Sequence, residues 1–135
     1  MMTIQTFYFN PYRECTYVLR NGQKCLIIDP GMYSEREQER LKDYLKTEQL
    51  HHEALLITHT HPDHICGLEF LEQLYPDIPV IGSAYPQPAG QKDDQVSLPD
   101  FSLQILPTPG HKEDSVCYYF ADDRTLFTGD TRFQG

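Results

Sequence analysis

Basic residues are scarce in this chain of 135 residues, which has 11 lysines and arginines against 20 aspartates and glutamates. With a formal net charge of −9 and no basic stripe, a nucleic-acid backbone is a poor partner, and so is an anionic membrane. No apolar run approaches the length of a membrane span, and the first residues lack the basic start and apolar core of a signal peptide. We therefore expect a cytoplasmic protein that binds neither nucleic acid nor a membrane.

Cysteine pairing motifs are also missing. None of the four cysteines, Cys15, Cys25, Cys66 and Cys117, stands in a C-x-x-C spacing. We interpret all four as free thiols of a reducing compartment. Cys66 lies two residues beyond a histidine, so a role in metal binding is the alternative for that thiol. The length predicts a single domain, residues 1–135, with a core of moderate size.

The first half of the chain predicts a three-stranded meander followed by a helix. Asn21-Gly22 is a strong hairpin signal between two apolar stretches, and the stretch from Lys24 to Ile28 is apolar enough to be a central strand. Ser34 with Glu37 three residues later fits a capping box at the start of the helix. The adjacent histidines at 51 and 52 are interpreted as solvated loop residues without a role.

The run His59-Thr60-His61-Pro62-Asp63-His64 is the densest group of metal-binding residue types in the sequence. It follows a short apolar strand, residues 54–57, and precedes a predicted helix, residues 65–75. Imidazole and carboxylate are the usual ligands of zinc, iron and manganese in open sites. The competing interpretation is a polar turn with solvated histidines.

Two later turns repeat this arrangement of a ligand type behind an apolar strand. His111 follows Pro109-Gly110, and Asp130 follows Gly129. Glycine before a ligand lets the backbone turn sharply and approach a metal ion closely. One such histidine alone would more often be structural, but three segments of this kind together predict a shared metal centre.

The chain resembles the metallo-β-lactamase superfamily in the segments ITHTHPDHICGL, LPTPGHKEDSVCYYF and LFTGDTRFQG. The sequences of these segments are most similar to those of the glyoxalase II type of hydrolase. The resemblance extends back to Tyr17 and to residues 27–31. It implies an α+β fold, the metallo-β-lactamase αββα sandwich. The sandwich would be incomplete here, containing the first half and the start of the second.

The resemblance also implies a ligand set and a reaction. His59, His61 and His111 would hold a first metal ion, Asp63 and His64 a second, and Asp130 would bridge them. The metal would be zinc, as one or two ions, with iron and manganese as alternatives. A metal-bound hydroxide, oriented by Asp63, would attack an acyl thioester such as S-lactoylglutathione.

The sequence departs from the family because no histidine follows His111, so the second metal lacks one ligand and the usual residues that grip glutathione are absent. Three explanations fit this departure from the family. The chain is a fragment of a longer enzyme, it self-associates through an uncovered sheet face, or it is an inactive short form. Two further functions remain open. One is a persulfide dioxygenase with a single iron on His59, His111 and Asp130, and the other is a non-catalytic metal-binding fragment.

Overall fold

The structure is a computed structural model, and it describes residues 2–58, 65–82, 95–107, 116–128 and 132–134. This part of the chain contains two five-stranded sheets. The first sheet has the strand order β1-β2-β3-β4-β5 and the second the order β10-β9-β8-β7-β6. The strands of the first sheet are β1 (Thr3–Phe9), β2 (Glu14–Asn21), β3 (Lys24–Ile28), β4 (His51–Leu56) and β5 (Val80–Ile81). Those of the second are β6 (Gln95–Leu98), β7 (Phe101–Pro107), β8 (Val116–Phe120), β9 (Thr125–Phe127) and β10 (Arg132–Gln134).

The first sheet begins with the predicted meander. Strands β1, β2 and β3 are antiparallel, and β3 lies at the centre of the sheet, as its apolar sequence predicts. Asn21 pairs with Lys24, so the hairpin turn consists of Gly22 and Gln23 rather than Asn21 and Gly22. Gly22 has a φ of 62°, which a residue without a Cβ adopts at little cost.

Within the described ranges, two helices lie in the connections between the parallel strands of this sheet. Helix α1 (Glu35–Thr47) joins β3 to β4, and helix α2 (Leu68–Leu74) lies between β4 and β5. The predicted capping box is confirmed, because the Ser34 hydroxyl accepts from the Glu37 amide while the Glu37 carboxylate accepts from the Ser34 amide. The apolar stripe of α1 is buried through Leu41 and Leu45.

The second sheet is antiparallel throughout its described strands. A short 3-10 turn, Ala121–Asp123, connects β8 to β9, and Arg124 follows it in the left-handed region with a φ of 49°. Arg124 therefore belongs to the turn that precedes β9. The sequence pattern does not predict the three-residue strand β10.

Two apolar layers hold the fold together. One lies between the sheets and includes Leu26, Leu56, Ile105, Tyr118 and Phe127. The other lies between the first sheet and the helices. Among the described residues no helix covers the outer face of the second sheet. The predicted α+β sandwich, incomplete on one side, is confirmed.

The two adjacent histidines are where the sequence interpretation is wrong. His51 and His52 open strand β4 and pair with Lys24 and Cys25 of β3. His51 is exposed, whereas the ring of His52 packs on Tyr75 with 4.1 Å between the ring centroids. An imidazole has apolar faces as well as two polar nitrogens, so it can begin a half-buried strand that a polarity count assigns to a loop.

None of the four cysteines forms a disulfide, as the sequence predicts. Cys25 is fully buried, and burial raises the pKa of its thiol to about 12. Within the described ranges, neither helix has the length and apolar character needed to cross a bilayer.

Candidate metal centre

The six predicted metal ligands fall in three segments, residues 59–64, 108–115 and 129–131, which lie outside the described residues. These ligands are His59, His61, Asp63, His64, His111 and Asp130. Among the residues that the structure does describe, no three His, Cys, Asp or Glu side chains are grouped to hold a metal ion. What the structure shows of the candidate centre is therefore the framework from which the three segments start.

The three segments start from one end of the sandwich, which we call the site end. In the second sheet Pro107 pairs with Val116 and Tyr118 pairs with Phe127, so the end of β7, the start of β8 and the end of β9 are adjacent. The first sheet meets them there, since the Val116 amide donates to the Thr58 carbonyl at 2.7 Å. The residues that flank the three segments therefore lie next to one another, while the shared metal centre stays a prediction.

Asp29 fixes the residue that directly precedes the histidine run. Its carboxylate is buried, and its two oxygens accept from the Thr58 amide at 2.7 Å and from the Thr58 hydroxyl at 2.5 Å. Asp29 itself has a φ of 55°, a conformation that aspartate tolerates better than most residues. Such a backbone outlier is kept where the surroundings over-determine it, as they do here.

Thr16 of β2 stabilises the turn that contains Asp29. Its hydroxyl donates to the Asp29 carbonyl at 2.7 Å and accepts from the Gly31 amide at 3.0 Å. Thr16 is fully buried, so these bonds are shielded from water. The orientation of the Asp29 carboxylate toward Thr58 is consequently set by a neighbouring strand as well as by its own backbone.

The same turn contacts the chain on the far side of the histidine run. The Gly67 amide donates to the Pro30 carbonyl at 2.7 Å, and the Cys66 thiol donates to the Gly31 carbonyl at 3.0 Å. A Cβ on Gly67 would lie 2.7 Å from two atoms of the Met32 side chain and 2.9 Å from the Pro30 carbonyl oxygen. Residues 29–31 therefore anchor both flanks of the 59–64 segment, and Gly67 allows the close approach.

For Cys66 the structure favours the free thiol. Its sulfur donates a hydrogen bond, and partial burial raises the pKa of the thiol, with the neighbouring Glu14 charge acting in the same direction. The described contact of the Cys66 thiol is thus with the backbone of residues 29–31.

A tyrosine of the second sheet completes the framework. The Tyr118 hydroxyl lies 2.5 Å from the Ile57 carbonyl oxygen and 2.9 Å from the Ile81 carbonyl oxygen. Asp29, Thr58 and Tyr118 were not singled out from the sequence. Asp29 carried one signal, a carboxylate placed between a buried strand and Pro-Gly, and Thr58 carried another, its position directly before the histidine run.

The chain matches the family model of the metallo-beta-lactamase superfamily over residues 14–92 and 83–135. It belongs to that superfamily, and this confirms the family resemblance of its sequence segments. Membership implies binding of a divalent metal ion, although the identity of the metal does not follow from it.

Curated relatives carry a more specific name, hydroxyacylglutathione hydrolase. The chain is 33% identical to the protein of that name from Francisella philomiragia subsp. philomiragia, over 98% of this chain and 53% of the relative. It is 35% identical to the one from Klebsiella pneumoniae subsp. pneumoniae, over 85% of this chain and 45% of the relative. The chain thus spans about half the length of the curated relatives it matches.

Solved structures agree on the fold. BLEG-1, a B3 metallo-beta-lactamase, superposes with a TM-score of 0.78 at 27% identity, covering 93% of this chain and 71% of the other. TTHA1623, solved in a di-iron-bound form, gives 0.71 at 26% identity, covering 98% and 74%. ETHE1 from Myxococcus xanthus gives 0.72 at 24% identity, covering 93% and 56%, and at that identity it shows the fold alone.

Proposed function

We propose that this chain is the metal-binding part of a hydrolase of the hydroxyacylglutathione hydrolase type, which cleaves an acyl thioester such as S-lactoylglutathione. The observation that carries the proposal is the hydrogen bond between the Val116 amide and the Thr58 carbonyl. It joins the flank of the segment with His59, His61, Asp63 and His64 to the flank of the segment with His111. The names of the curated relatives support the reaction class.

The donor set fits a divalent metal ion by its chemistry. The six predicted ligands are four imidazoles and two carboxylates, and these groups suit zinc, iron and manganese. His59, His61 and His111 would hold a first ion, Asp63 and His64 a second, with Asp130 between them. Zinc is the first candidate, and the di-iron form of TTHA1623 supports iron as the alternative.

When bound, a divalent ion supplies Lewis acidity, which lowers the pKa of a water molecule and polarises a carbonyl group. The chain contributes the remaining functions. Asp63 would orient the attacking water, and the framework of Asp29, Thr58 and Tyr118 would keep the ligand segments in place. A site with preorganised ligands needs little rearrangement as charge develops on the thioester oxygen. No serine or cysteine nucleophile is required.

The first test is metal binding and thioester cleavage by the purified chain. We expect stoichiometric uptake of zinc or iron measured by elemental analysis, and release of glutathione from S-lactoylglutathione measured with a thiol reagent. His59→Ala and His111→Ala should each lower metal uptake by at least tenfold. His51→Ala is the matched control, since His51 is an exposed histidine of β4 outside the three segments.

The outcomes separate the competing functions. Metal retention by both His59→Ala and His111→Ala would overturn the proposed centre. Iron uptake with oxygen consumption on glutathione persulfide would favour a dioxygenase. Stoichiometric metal without turnover on any acyl thioester would reduce the role of this chain to metal binding.

Self-association stays a prediction. The outer face of the second sheet carries the half-buried side chains Leu106, Tyr119 and Leu126, and Tyr119 pairs with Leu126 across two strands. An apolar face of this kind would be covered by a second copy of the chain. Sedimentation velocity over a hundredfold concentration range tests this, and Tyr119→Lys with Leu126→Lys should shift any dimer to monomer.

A further inference from the structure

Tyr118 stands at the junction of the two sheets and is fully buried. Its hydroxyl has one hydrogen to share between two backbone acceptors, the Ile57 carbonyl oxygen at 2.5 Å and the Ile81 carbonyl oxygen at 2.9 Å. Ile57 follows strand β4, and Ile81 is the last residue of β5. One side chain from the second sheet therefore holds the ends of two strands of the first sheet.

The contact of Tyr118 is one of two made by the same strand. Two residues earlier, the Val116 amide donates to the Thr58 carbonyl at 2.7 Å. Strand β8 thus grips two consecutive carbonyl groups, those of Ile57 and Thr58, at two points. These two contacts attach the residues that directly follow β4 to strand β8 of the other sheet.

These contacts lie at the boundaries of the ligand segments. Thr58 is the residue before His59, and Val116 is the first described residue after the segment that contains His111. The exit of one segment and the entrance of the other are therefore held within one hydrogen-bond length. Any change in the packing of β8 against the end of β4 would therefore move Thr58 relative to Val116.

Packing alone does not require the hydroxyl group. A phenylalanine would fill nearly the same volume between the sheets, and burying a hydroxyl costs free energy unless it is bonded. Burial also raises the pKa of Tyr118 well above its ordinary value, with the Asp29 charge contributing, so the phenol keeps its donor hydrogen. One of its two acceptors, the Ile57 carbonyl, belongs to the residue before Thr58, which directly precedes the first ligand segment.

We infer that Tyr118 is a positioning residue that sets the spacing between segment 59–64 and segment 108–115, so that ligands from both reach one metal ion. The inference rests on the proposed metal centre. Tyr118 touches neither metal nor substrate in this scheme, and it acts through the backbone of Ile57 and Thr58. Groups that support ligands in this indirect way typically change metal affinity by about 10- to 100-fold when removed.

The test compares zinc affinity in the wild type, Tyr118→Phe and Tyr119→Phe by competition with a chromophoric chelator. Tyr119 is the matched control, because it is the next residue of β8 and its side chain points to the other face of the sheet, half-buried. We expect a loss of about 10- to 100-fold in affinity for Tyr118→Phe and no change for Tyr119→Phe. The ligand-field spectrum of the cobalt-loaded chain should change in Tyr118→Phe only.

A purely structural role predicts a different result. It would lower the melting temperature of metal-free Tyr118→Phe while leaving the affinity and the cobalt spectrum of the folded fraction unchanged, and this would overturn the inference. If Tyr118→Phe does not fold, Val116→Pro tests the same attachment by removing the other donor at the start of the strand. Unchanged affinity in Val116→Pro would then overturn it. A wild-type chain that binds no metal would overturn the proposed function as well.

Discussion

The two ends of the sandwich differ in how they treat buried polar groups. At the site end, Asp29, Thr58 and Tyr118 are bonded across strands that lie far apart in the sequence. At the opposite end, where β4 begins, neither ring nitrogen of His52 has a hydrogen-bond partner among the described residues. There the Glu53 carboxylate accepts from the Asp100 amide through one oxygen, and its other oxygen has no partner within the same part of the chain.

This difference indicates which end is built for a fixed geometry. Buried polar groups that are bonded to each other across distant strands favour one arrangement of the backbone. Buried polar groups without partners lower the stability of the fold and specify nothing. Asp29, Thr58 and Tyr118 at the site end therefore hold the backbone in one geometry, whereas His52 and Glu53 at the opposite end do not. Four substitutions test this contrast.

The largest effect should follow from Asp29→Ala, which removes both acceptors of Thr58 at once. We expect a loss of about 3 kcal/mol or more in the free energy of unfolding, because each bond to a charged group contributes roughly 1.5–3 kcal/mol. Alanine also tolerates the φ of 55° poorly. Asp29→Asn keeps the shape and the backbone preference, so it should lose less than half as much in urea unfolding. Equal losses in the two variants would contradict this account.

At the opposite end, His52 should make the free energy of unfolding depend on pH. Burial lowers the pKa of His52 to about 4, with His51 contributing, from 6.5 in the unfolded chain. The unfolded chain therefore binds the proton first as the pH falls, and stability drops between pH 6.5 and 4 by up to about 3 kcal/mol. His52→Phe should remove this component, whereas His51→Gln should keep most of it. Parallel pH profiles for wild type and His52→Phe would refute the assignment.

Crowding at the site end is tested by Gly67→Ala. The new methyl group would meet the Met32 side chain, which can move, and the Pro30 carbonyl, which is backbone and cannot move freely. We expect a loss of about 2 kcal/mol in thermal or urea unfolding. Gly22→Ala is the control, since nothing lies within 4 Å of its Cβ position and only the positive φ is strained. A smaller loss at Gly67 than at Gly22 would show that the turn is not tightly packed there.

The smallest effect is expected for Glu53→Gln. Burial raises the pKa of Glu53 from 4.5, and the neighbouring Asp100 carboxyl group adds to the increase. The folded state thus binds this proton more tightly, so stability is full below pH 4.5 and is lost as the pH rises through the folded value. Glu53→Gln should gain less than about 1 kcal/mol at pH 7 and nothing at pH 4. A gain that persists in acid would point to a cause other than charge.

Much of the fold could be predicted because its signals are local. The apolar run of β3, the capping box at Ser34 and the hairpin glycine each specify structure within a few residues. Strand β10 carries no such signal, since Arg132–Gln134 is too short for a pattern and becomes a strand by pairing with β9. The local sequence does not indicate the burial of His52, because its ring packs on Tyr75, which lies at the end of helix α2.

The candidate site also combines residues with local sequence signals and residues whose contacts are distant in the sequence. Four of its six predicted ligands stand within residues 59–64, and the other two each follow a glycine behind an apolar strand, so the sequence alone predicts them. Its supports are not predicted in this way, because Thr58 meets Asp29 from 29 positions away and Ile57 meets Tyr118 from 61 positions away. A tyrosine on the inner face of a strand is normally a core residue, and only the partner of its hydroxyl distinguishes it.

The long reach of Tyr118 has a consequence for the order of assembly. Each antiparallel meander closes over short loops, while a contact across 61 residues costs more chain entropy and forms slowly. Thr58 and Val116, which border the first two candidate segments, therefore come together only when one sheet packs on the other. Each sheet would form before the two edges of the candidate centre meet.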